Sequence, residues 1–346
     1  MKNLGYQLLK KYVKAALYLY YGRIEVHGLK NVPEEGPVLF LPNHQNALLD
    51  VLLIVVDCNR KPFFLTRSDV FTRPVLKRFF SFLLMIPIYR IRDGRKSLVK
   101  NEVIFDQCAT LFKEGHAIVM FPEANHNLKR RVRNLSKGFT RILFNAIEKE
   151  PAQKINIVPV GLNYRKARTF PDKVSLYYGE SILVNDLYTV DDKPASTMAV
   201  KEAVSNRLKR LTTHIEEEDR YEEILTQLER AGIDFLDPQE ANNAQKSLDS
   251  LNLNTKEDKT SIGLLKLLFT VVNFPVIALW RFWAKPKVWE IEFMSTLRFA
   301  FAMISYPVYY LFLLFMVASL FSYKVAFITI AFLFVFNWTY VRLGSK

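Results

Sequence analysis

Short apolar runs alternate with longer amphipathic stretches through the first two-thirds of the chain. The runs are rich in β-branched and aromatic residues, which is typical of buried strands, and they lie at residues 37–41, 62–66, 87–91, 117–121, 155–162 and 174–178. Helical patterns fall between them at residues 47–57, 74–84, 96–114 and 135–148. This alternation predicts an α/β fold, with a central mixed sheet covered by helices, over residues 23–233.

Two long apolar runs near the C-terminus, residues 299–320 and 325–341, are nearly free of charge. At about 1.5 Å per residue, each approaches the ~30 Å of a hydrocarbon core, so we expect a transmembrane helical hairpin. Residues 262–283 are also apolar but contain Lys266 and Pro275. A hairpin with both ends cytoplasmic satisfies the positive-inside tendency. We therefore expect residues 262–283 to be interfacial or re-entrant, with three full spans as the alternative.

Three further segments surround this framework. Residues 1–22 interleave leucines with lysines at helical spacing, which predicts an amphipathic, membrane-associating helix and not a cleavable signal. Residues 195–231 predict a long amphipathic helical region whose acidic run, 216–219, is solvated. Residues 234–261 are polar and predict a linker to the membrane anchor at residues 262–346.

The net charge of +14 is unevenly distributed along the chain. Residues 1–150 hold 25 Lys and Arg against 13 Asp and Glu (+12), residues 151–260 hold 15 against 19 (−4), and the remainder holds 8 against 2 (+6). A basic surface indicates an anionic partner: nucleic acid, anionic lipid or a phosphorylated substrate. The basic residues follow strand ends and do not interleave with aromatic residues on one surface, so we expect no nucleic-acid partner.

Cysteine and metal chemistry are not indicated. Cys58 and Cys108 both lie in apolar helical contexts, which predicts buried thiols and not a disulfide or a reactive site. We find no cluster of side chains with metal-ligand spacing and expect no metal.

The first candidate site follows the strand at residues 37–41, where His44 lies just past the strand and Asp50 lies in the first turn of the next helix. An imidazole can take a proton from an alcohol near neutral pH. A carboxylate on its other nitrogen fixes the tautomer and stabilises the imidazolium. Asn46 is the expected N-cap of that helix.

Three more clusters occur at or along strands. Arg90 and Arg92 are two residues apart, so in a strand they share one face and could clamp one phosphate. Glu123 and His126 follow the strand at residues 117–121, with Arg130 and Arg131 just beyond. The fourth cluster is the apolar strand at residues 157–162, which also fits a plain core strand.

Taken in order, these blocks resemble the phospholipid/glycerol acyltransferase family, which contains glycerol-3-phosphate and 1-acyl-glycerol-3-phosphate acyltransferases. Its blocks are NHxxxxD, a block ending in an apolar-aromatic pair and Arg, FPEGTRS, and an apolar VPV strand; the resemblance covers residues 28–179. It implies that His44 is the general base and Asp50 orients it. It also implies that Arg90 holds the acceptor phosphate and that Glu123 helps to shape the acceptor site. Asn43 is a further candidate for substrate binding.

This sequence departs from the family pattern in two places. Five residues separate His44 from Asp50 where the family block has four, a rotation of about 100° on a regular helix, so their contact requires a local bulge or a different helix start. Ala124 to Asn127 replace Gly-Thr-Arg-Ser, which removes an arginine. Arg130 or Arg131 could supply that cation, or His126 could bond the phosphate.

The expected function is that of a membrane-bound O-acyltransferase in phospholipid biosynthesis, with its catalytic domain on the cytoplasmic face. The donor is acyl-CoA or acyl-ACP, used as a co-substrate without a cofactor. The acceptor is glycerol-3-phosphate, its keto analogue dihydroxyacetone phosphate, or lysophosphatidate, and the departures favour the smaller acceptors. The alternative is a catalytically silent relative that binds or shapes anionic membrane.

Overall fold

The computed structural model describes residues 2–71, 74–90, 99–250, 262–288 and 290–345. Over these residues, the strands are β1 (Tyr21–His27), β2 (Val38–Pro42), β3 (Phe63–Arg67), β4 (Met85–Ile88), β5 (Ala117–Val119), β6 (Asn156–Tyr164), β7 (Asp172–Tyr178) and β8 (Ile182–Leu183). The helices of the first part of the chain are α1 (Lys2–Tyr20), α2 (Ala47–Asp57), α3 (Pro74–Phe82), α4 (Lys100–Lys113), α5 (Gly138–Lys149), α6 (Lys193–Leu211), α7 (Tyr221–Arg230) and α8 (Pro238–Ala244). The C-terminal helices are α9 (Ile262–Val272), α10 (Phe274–Leu279), α11 (Met294–Leu320) and α12 (Tyr323–Gly344).

The sheet is mixed, as the alternation of strands and helices predicts. Its strands lie in the order β1-β7-β6-β2-β5-β3-β4, with β8 paired to β6. Strands β6, β2, β5, β3 and β4 run parallel to one another, while β7 runs antiparallel to β6. The carboxyl ends of the five parallel strands therefore share one edge, and the loops that follow the paired strands β2 and β5 are neighbours there.

Helices cover both faces of the sheet. Alternate residues of β2 point to opposite faces, with Leu39 and Leu41 in one core and Val38 and Phe40 in the other. Helices α4, α5 and α6 pack on the first face. Helices α1 and α2 pack on the second face, together with Phe299 of α11. Two fully apolar layers thus fix the strand ends from which the candidate site projects.

The N-terminal helix α1 joins the domain along one side. Val13, Leu17 and Tyr20 are buried in the second core. Leu4 and Leu8 point away from it and are 66% and 60% exposed. One apolar side of α1 therefore packs on the domain, and a second apolar side is exposed.

The helical region predicted at residues 195–231 is divided into α6 and α7. The acidic run at residues 216–219 lies in the connection between them and is exposed, as the sequence predicts. Lys209 pairs with Glu216, and Arg220 pairs with Glu217. These pairs lie at the surface and carry no feature of a metal site.

The predicted linker is described as far as residue 250, and that part is folded onto the domain. Asp237 caps α8, because its carboxylate accepts hydrogen bonds from the backbone N–H groups of Gln239 and Glu240. Phe235 and Ala241 are buried in a small core with α7. The polar composition of this part predicted a linker, but some of its polar side chains bond to the domain. Asn242, for example, donates to the backbone carbonyls of Lys209 and Thr212. Residues 251–261 lie outside the described residues.

Helices α11 and α12 are long and apolar enough to cross a membrane, judged by length and composition. They include the predicted spans at residues 299–320 and 325–341. Helix α9 and the helical stretch that begins with α10 are bent by 87° at Asn273. That side chain exchanges hydrogen bonds with Asn337 of α12 at 2.8 and 3.0 Å. A bend of this size fits either a broken span or a re-entrant loop.

Both ends of the α11–α12 hairpin contact the α/β domain. At the start of α11, Ser295 donates to the carbonyl of Ala167 at 2.6 Å. At the end of α12, Arg342 Nη1 donates to the carbonyl of Gly22 at 2.7 Å. The two ends therefore lie on the same side of the hairpin as the domain, and the turn at Phe321 lies on the far side.

The two cysteines are free and buried, which confirms the sequence prediction. Burial raises the pKa of the Cys58 thiol and raises that of Cys108 to about 12. Neither thiol is therefore poised as a nucleophile.

Candidate active site

His44 and Asp50 are in direct contact at the carboxyl edge of the sheet. His44 lies in the loop after β2, and its Nδ1 is 2.8 Å from Oδ2 of Asp50 in the first turn of α2. An ionised carboxylate only accepts hydrogen bonds, so Nδ1 carries the hydrogen and Nε2 is the basic nitrogen of the ring. The His44 side chain is 14% exposed and the Asp50 side chain is fully buried.

The extra residue between His44 and Asp50 is accommodated before the helix begins. Asn46 has φ −131° and ψ 45°, and Ala47, the first residue of α2, has φ 44°. This non-helical turn directs the backbone N–H groups of Gln45 and Asn46 at Asp50 Oδ2, at 2.9 and 2.8 Å. The non-helical backbone of Asn46 and Ala47 provides a different helix start, and this start allows His44 and Asp50 to meet across five intervening residues.

Tyr164, which sequence reasoning missed, completes the shell around Asp50. It ends β6, the strand next to β2, and its hydroxyl donates to Asp50 Oδ1 at 2.5 Å. Burial and then the charge of Asp50 raise the pKa of Tyr164 well above its usual value, so the phenol keeps its proton and donates. Its sequence signal is weak, because a tyrosine at the end of an apolar strand is common in plain cores.

The loop after β5 forms the other side of the His44 ring. Phe121 stacks on the imidazole with ring centroids 3.9 Å apart, and His126 meets it edge to face at 5.5 Å. The backbone N–H of Asn127 donates to the carbonyl of His44 at 2.9 Å. The first and third sequence blocks are therefore brought together, as their strand order in the sheet requires.

Glu123 is buried in the same loop and is held by Arg133. The guanidinium donates to Glu123 Oε2 from Nη2 at 2.7 Å and from Nε at 3.1 Å, and Nη2 also donates to the carbonyl of Asn125. Burial raises the pKa of Glu123, and Arg133 opposes that shift. Arg133 is thus the guanidinium that pairs with Glu123, a role that sequence reasoning did not assign to it.

Arg130 and Arg131, the sequence candidates for the missing cation, are directed elsewhere. Arg130 is half-buried and donates to the carbonyls of Tyr164 and Arg165 at 2.8 and 2.7 Å. Arg131 donates to the carbonyl of Ile215 and pairs with Glu218. Both guanidinium groups therefore donate to backbone carbonyls of other segments and connect those segments to this loop.

Asn43 is likewise occupied by backbone groups. Its amide exchanges two hydrogen bonds with Leu162, donating to the carbonyl at 3.0 Å and accepting from the N–H at 2.7 Å. It holds the end of β2 against β6 and so supports the loop that carries His44.

Arg90 follows β4 at the same edge of the sheet, separated from β2 by strands β5 and β3. Its Nη2 is 3.3 Å from Asp69 Oδ2. Arg92, the second member of the predicted phosphate clamp, lies outside the described residues, so the clamp stays a prediction.

A segment far along the chain also reaches the site. His126 Nε2 is 3.0 Å from Glu290 Oε2, across a separation of 164 residues. Ligand-type atoms of His126, Glu290 and Glu292 lie within 4.8 Å of one another. Burial lowers the pKa of His126, and the hydrogen bond to Glu290 opposes that shift. Sequence spacing gives no sign of this group, because His126 is 164 positions from Glu290.

In this arrangement, a buried carboxylate holds a partly exposed histidine among the loops at the carboxyl edge of the sheet. Residues 23–163 match the family model described as Acyltransferase. The matched range contains His44, Asp50 and Glu123 but stops short of Tyr164 and of helices α9–α12.

Two individual proteins are similar to parts of this chain. Glycerol-3-phosphate O-acyltransferase 2 of Saccharomyces cerevisiae is 29% identical over 98 residues, 28% of this chain, and the match spans only 12% of the length of that protein. The crystal structure of the 1-acyl-sn-glycerophosphate (LPA) acyltransferase PlsC from Thermotoga maritima aligns with a TM-score of 0.43 and 19% identity. That alignment covers 61% of this chain and 81% of the other.

Proposed function

We propose that the protein is a membrane-bound O-acyltransferase of glycerophospholipid synthesis. It transfers a fatty acyl group from an acyl-CoA or acyl-ACP thioester to a hydroxyl of a glycerol-phosphate acceptor. The observation that carries the proposal is the series Tyr164–Asp50–His44, in which a buried carboxylate with three further donors orients the basic imidazole. His44 and Asp50 lie within residues 23–163, which match the Acyltransferase family model, and Tyr164 follows that range directly.

In the proposed reaction, His44 Nε2 takes the proton of the acceptor hydroxyl as its oxygen attacks the thioester carbonyl. The C–O bond forms, the C–S bond breaks, and the leaving thiolate receives the proton from the imidazolium. Asp50 stabilises the imidazolium, and general-base help of this kind contributes about 10²–10⁴-fold. A thioester is already activated, so the scheme needs neither a covalent nucleophile nor a cofactor.

Charge and anchoring support a phosphorylated, lipid-linked substrate. Residues 1–150 carry a net charge of +12, which suits an acceptor phosphate and the anionic donor. An apolar cavity of about 370 Å³ lies among α1, α11 and α12, with Ala16, Phe299, Met303 and Phe334 in its wall. Such a cavity suits a hydrocarbon chain.

The orientation is part of the proposal. Both ends of the hairpin contact the domain, and Arg298 and Arg342 lie near those two ends. By the positive-inside tendency, this arrangement supports a cytoplasmic position for the α/β domain.

The test uses purified full-length protein with labelled acyl-CoA and, separately, glycerol-3-phosphate, dihydroxyacetone phosphate and lysophosphatidate. We expect turnover with at least one acceptor, and we expect His44→Ala and Asp50→Asn each to lower kcat by about 10²-fold or more. His116→Ala, at a histidine that is 44% exposed and belongs to another loop, is the matched control and should keep wild-type activity.

Full activity in the His44→Ala variant would exclude the mechanism. If the wild-type protein binds anionic vesicles yet turns over none of the three acceptors with acyl-CoA or acyl-ACP, the silent membrane-binding relative becomes the better explanation.

A further inference from the structure

The segment that leads into α11 lies against the loops that carry His44 and His126. Thr296, one turn into α11, contacts the turn at the start of α2. Glu290 and Phe293, just before α11, contact His126. These contacts join residues that are 164 to 250 positions apart. Residues 290–296 lie outside the part of the chain that matches the acyltransferase family model, whereas their partners lie inside it.

Thr296 holds the turn that presents donors to Asp50. Its Oγ1 donates to the carbonyl of Asn46 at 3.1 Å and accepts from the N–H of Leu49 at 3.3 Å. The N–H of the same Asn46 donates to Asp50 Oδ2. Thr296 is 6% exposed, so water does not compete freely for these bonds. Without these two hydrogen bonds, the turn that positions Asp50 for His44 is held less tightly.

Glu290 and Phe293 hold the ring of His126. Glu290 accepts the Nε2 hydrogen, and Phe293 meets the ring edge to face with centroids 4.9 Å apart. His126 in turn meets the His44 ring edge to face. His126 is therefore fixed between the α11 approach and His44, and it limits the positions that the His44 ring can adopt.

We propose that residues 290–296, the approach to the first candidate spanning helix, are a working part of the active site, with Thr296 and Glu290 as positioning residues for His44. This inference rests on the proposed acyl transfer. It assigns the membrane anchor a second role: it supplies one wall of the site as well as a tether.

The first experiment measures kcat and KM of full-length Thr296→Val, which keeps the size of the side chain and removes the hydroxyl. We expect kcat to fall about 10-fold while KM for the donor stays within about twofold, because the lost contact orients the base and does not bind the thioester. Thr296→Ser, which restores the hydroxyl, should return kcat to within about twofold of wild type.

The matched control is Tyr309→Phe, which removes a 2.7 Å hydrogen bond between the same helix and the carbonyl of Val272, away from the site. It should leave kcat unchanged. Wild-type kcat in Thr296→Val overturns the proposal, and so does a Thr296→Ser variant that is as slow as Thr296→Val, since the hydroxyl would then be irrelevant.

The second experiment compares Glu290→Ala, Glu290→Gln and Glu292→Ala. We expect Glu290→Ala to lower kcat about threefold to 10-fold. Glu290→Gln should recover most of this loss, because the amide oxygen still accepts from His126, and Glu292→Ala should stay near wild type. Equal losses in Glu290→Ala and Glu292→Ala, together with loss of wild-type activity on chelation of divalent cations, would make the three residues a metal site and overturn the positioning role.

Wild-type and His44→Ala proteins are assayed in the same series. If they behave as the proposed function requires while Thr296→Val and Glu290→Ala stay fully active, the positioning role alone is wrong. If the wild-type protein acylates no acceptor, both proposals are wrong.

Discussion

Asp50 is a buried carboxylate whose partners are two side chains and two local backbone N–H groups. Four donors reach its two oxygens: His44, Tyr164 and the N–H groups of Gln45 and Asn46. A buried carboxylate is costly unless its lone pairs are occupied, and here they are. The same bonds that stabilise the charge also fix the orientation of His44.

Asp172 is a second buried carboxylate, and it has fewer partners. Oδ1 accepts from the N–H of Lys166 at 2.8 Å, whereas Oδ2 has no hydrogen-bond partner among the described residues. Burial raises the pKa of Asp172 to about 6, against about 3.9 for an exposed aspartate. The folded protein therefore keeps this proton between about pH 4 and pH 6, where the unfolded chain has lost it.

It follows that Asp172 stabilises the fold below about pH 4 and that this contribution is lost as the pH rises through about 6. We expect the stability of the wild type relative to Asp172→Asn, which does not titrate, to fall by up to about 3 kcal/mol from pH 4 to pH 7. Thermal unfolding in detergent at several pH values measures this difference. Exposed Asp191→Asn is the control for removing a carboxylate, and a wild-type-to-variant difference that does not vary with pH contradicts the prediction.

At this scale the sequence indicated the residues whose chemistry is visible in a short segment. His44 and Asp50 are six positions apart, so their pairing could be tested against helix geometry. Tyr164 and Arg133 could not be assigned in this way. The hydroxyl of Tyr164 reaches Asp50 across 114 positions, and nothing in an arginine-rich loop shows which guanidinium pairs with Glu123.

Helix α2 begins with a backbone conformation that L residues seldom adopt. Ala47 has φ 44°, in the left-handed region that costs a residue with a Cβ about 1 kcal/mol. The strain is offset by the hydrogen bonds that this turn directs at Asp50 and receives from Thr296.

Replacing Ala47 by glycine removes that strain and also a buried methyl group, and these two effects are similar in size. We expect Ala47→Gly to change the free energy of unfolding by less than about 0.5 kcal/mol. Ala146→Gly, at an equally buried position inside α5, should cost more than about 1 kcal/mol, since no strain is relieved there. Chemical or thermal unfolding of both variants provides the comparison, and equal losses would show that Ala47 is not strained.

Elements with a clear period were predicted closely. The helix predicted at residues 47–57 is α2 as observed. The strand predicted at residues 155–162 is β6, which begins one residue later and ends two residues later. The strand predicted at residues 87–91 begins earlier, at Met85, because the apolar run before Pro87 belongs to the sheet. β1 was missed: its Tyr-Gly-Arg-Ile-Glu-Val-His sequence mixes charges into a strand that is stabilised by pairing with β7.

At the scale of the whole molecule, the hairpin is seated on the domain at two places. The start of α11 meets the turn at the start of α2 in the candidate active site, and the end of α12 meets β1 at Gly22. A Cβ atom on Gly22 would lie 1.9 Å from Ser345 Oγ and 2.8 Å from the carbonyl oxygen of Val341. Glycine is therefore required by the close approach of α12.

We expect Gly22→Ala to destabilise the protein by about 1–3 kcal/mol, because the end of α12 must move away from β1. Gly263→Ala is the matched control: it lies in α9 with no atom within 4 Å of the added Cβ, and it should be neutral or slightly stabilising. Thermal unfolding in detergent micelles compares the two. A Gly22→Ala protein as stable as wild type would show that α12 does not rest on β1.

The division of the chain into a basic α/β part and an apolar tail followed from composition alone, since charge and hydropathy average over many residues. The docking of one part on the other did not. It depends on single contacts, such as Arg342 with Gly22 and Arg165 with Ser345, between residues that are more than 170 positions apart. Such pairs cannot be predicted from composition.

In the membrane-bound enzyme that we propose, the length of α11 sets the depth at which acyl transfer takes place. Its 27 residues extend about 40 Å, roughly 10 Å more than a hydrocarbon core of ~30 Å. The excess belongs at the end that contacts the domain, where Ser295, Thr296 and Arg298 make the helix polar. Under that proposal, Thr296 and the loop that carries His44 lie at the level of the lipid headgroups. An acceptor whose phosphate and glycerol hydroxyl lie in that layer could react without leaving its leaflet.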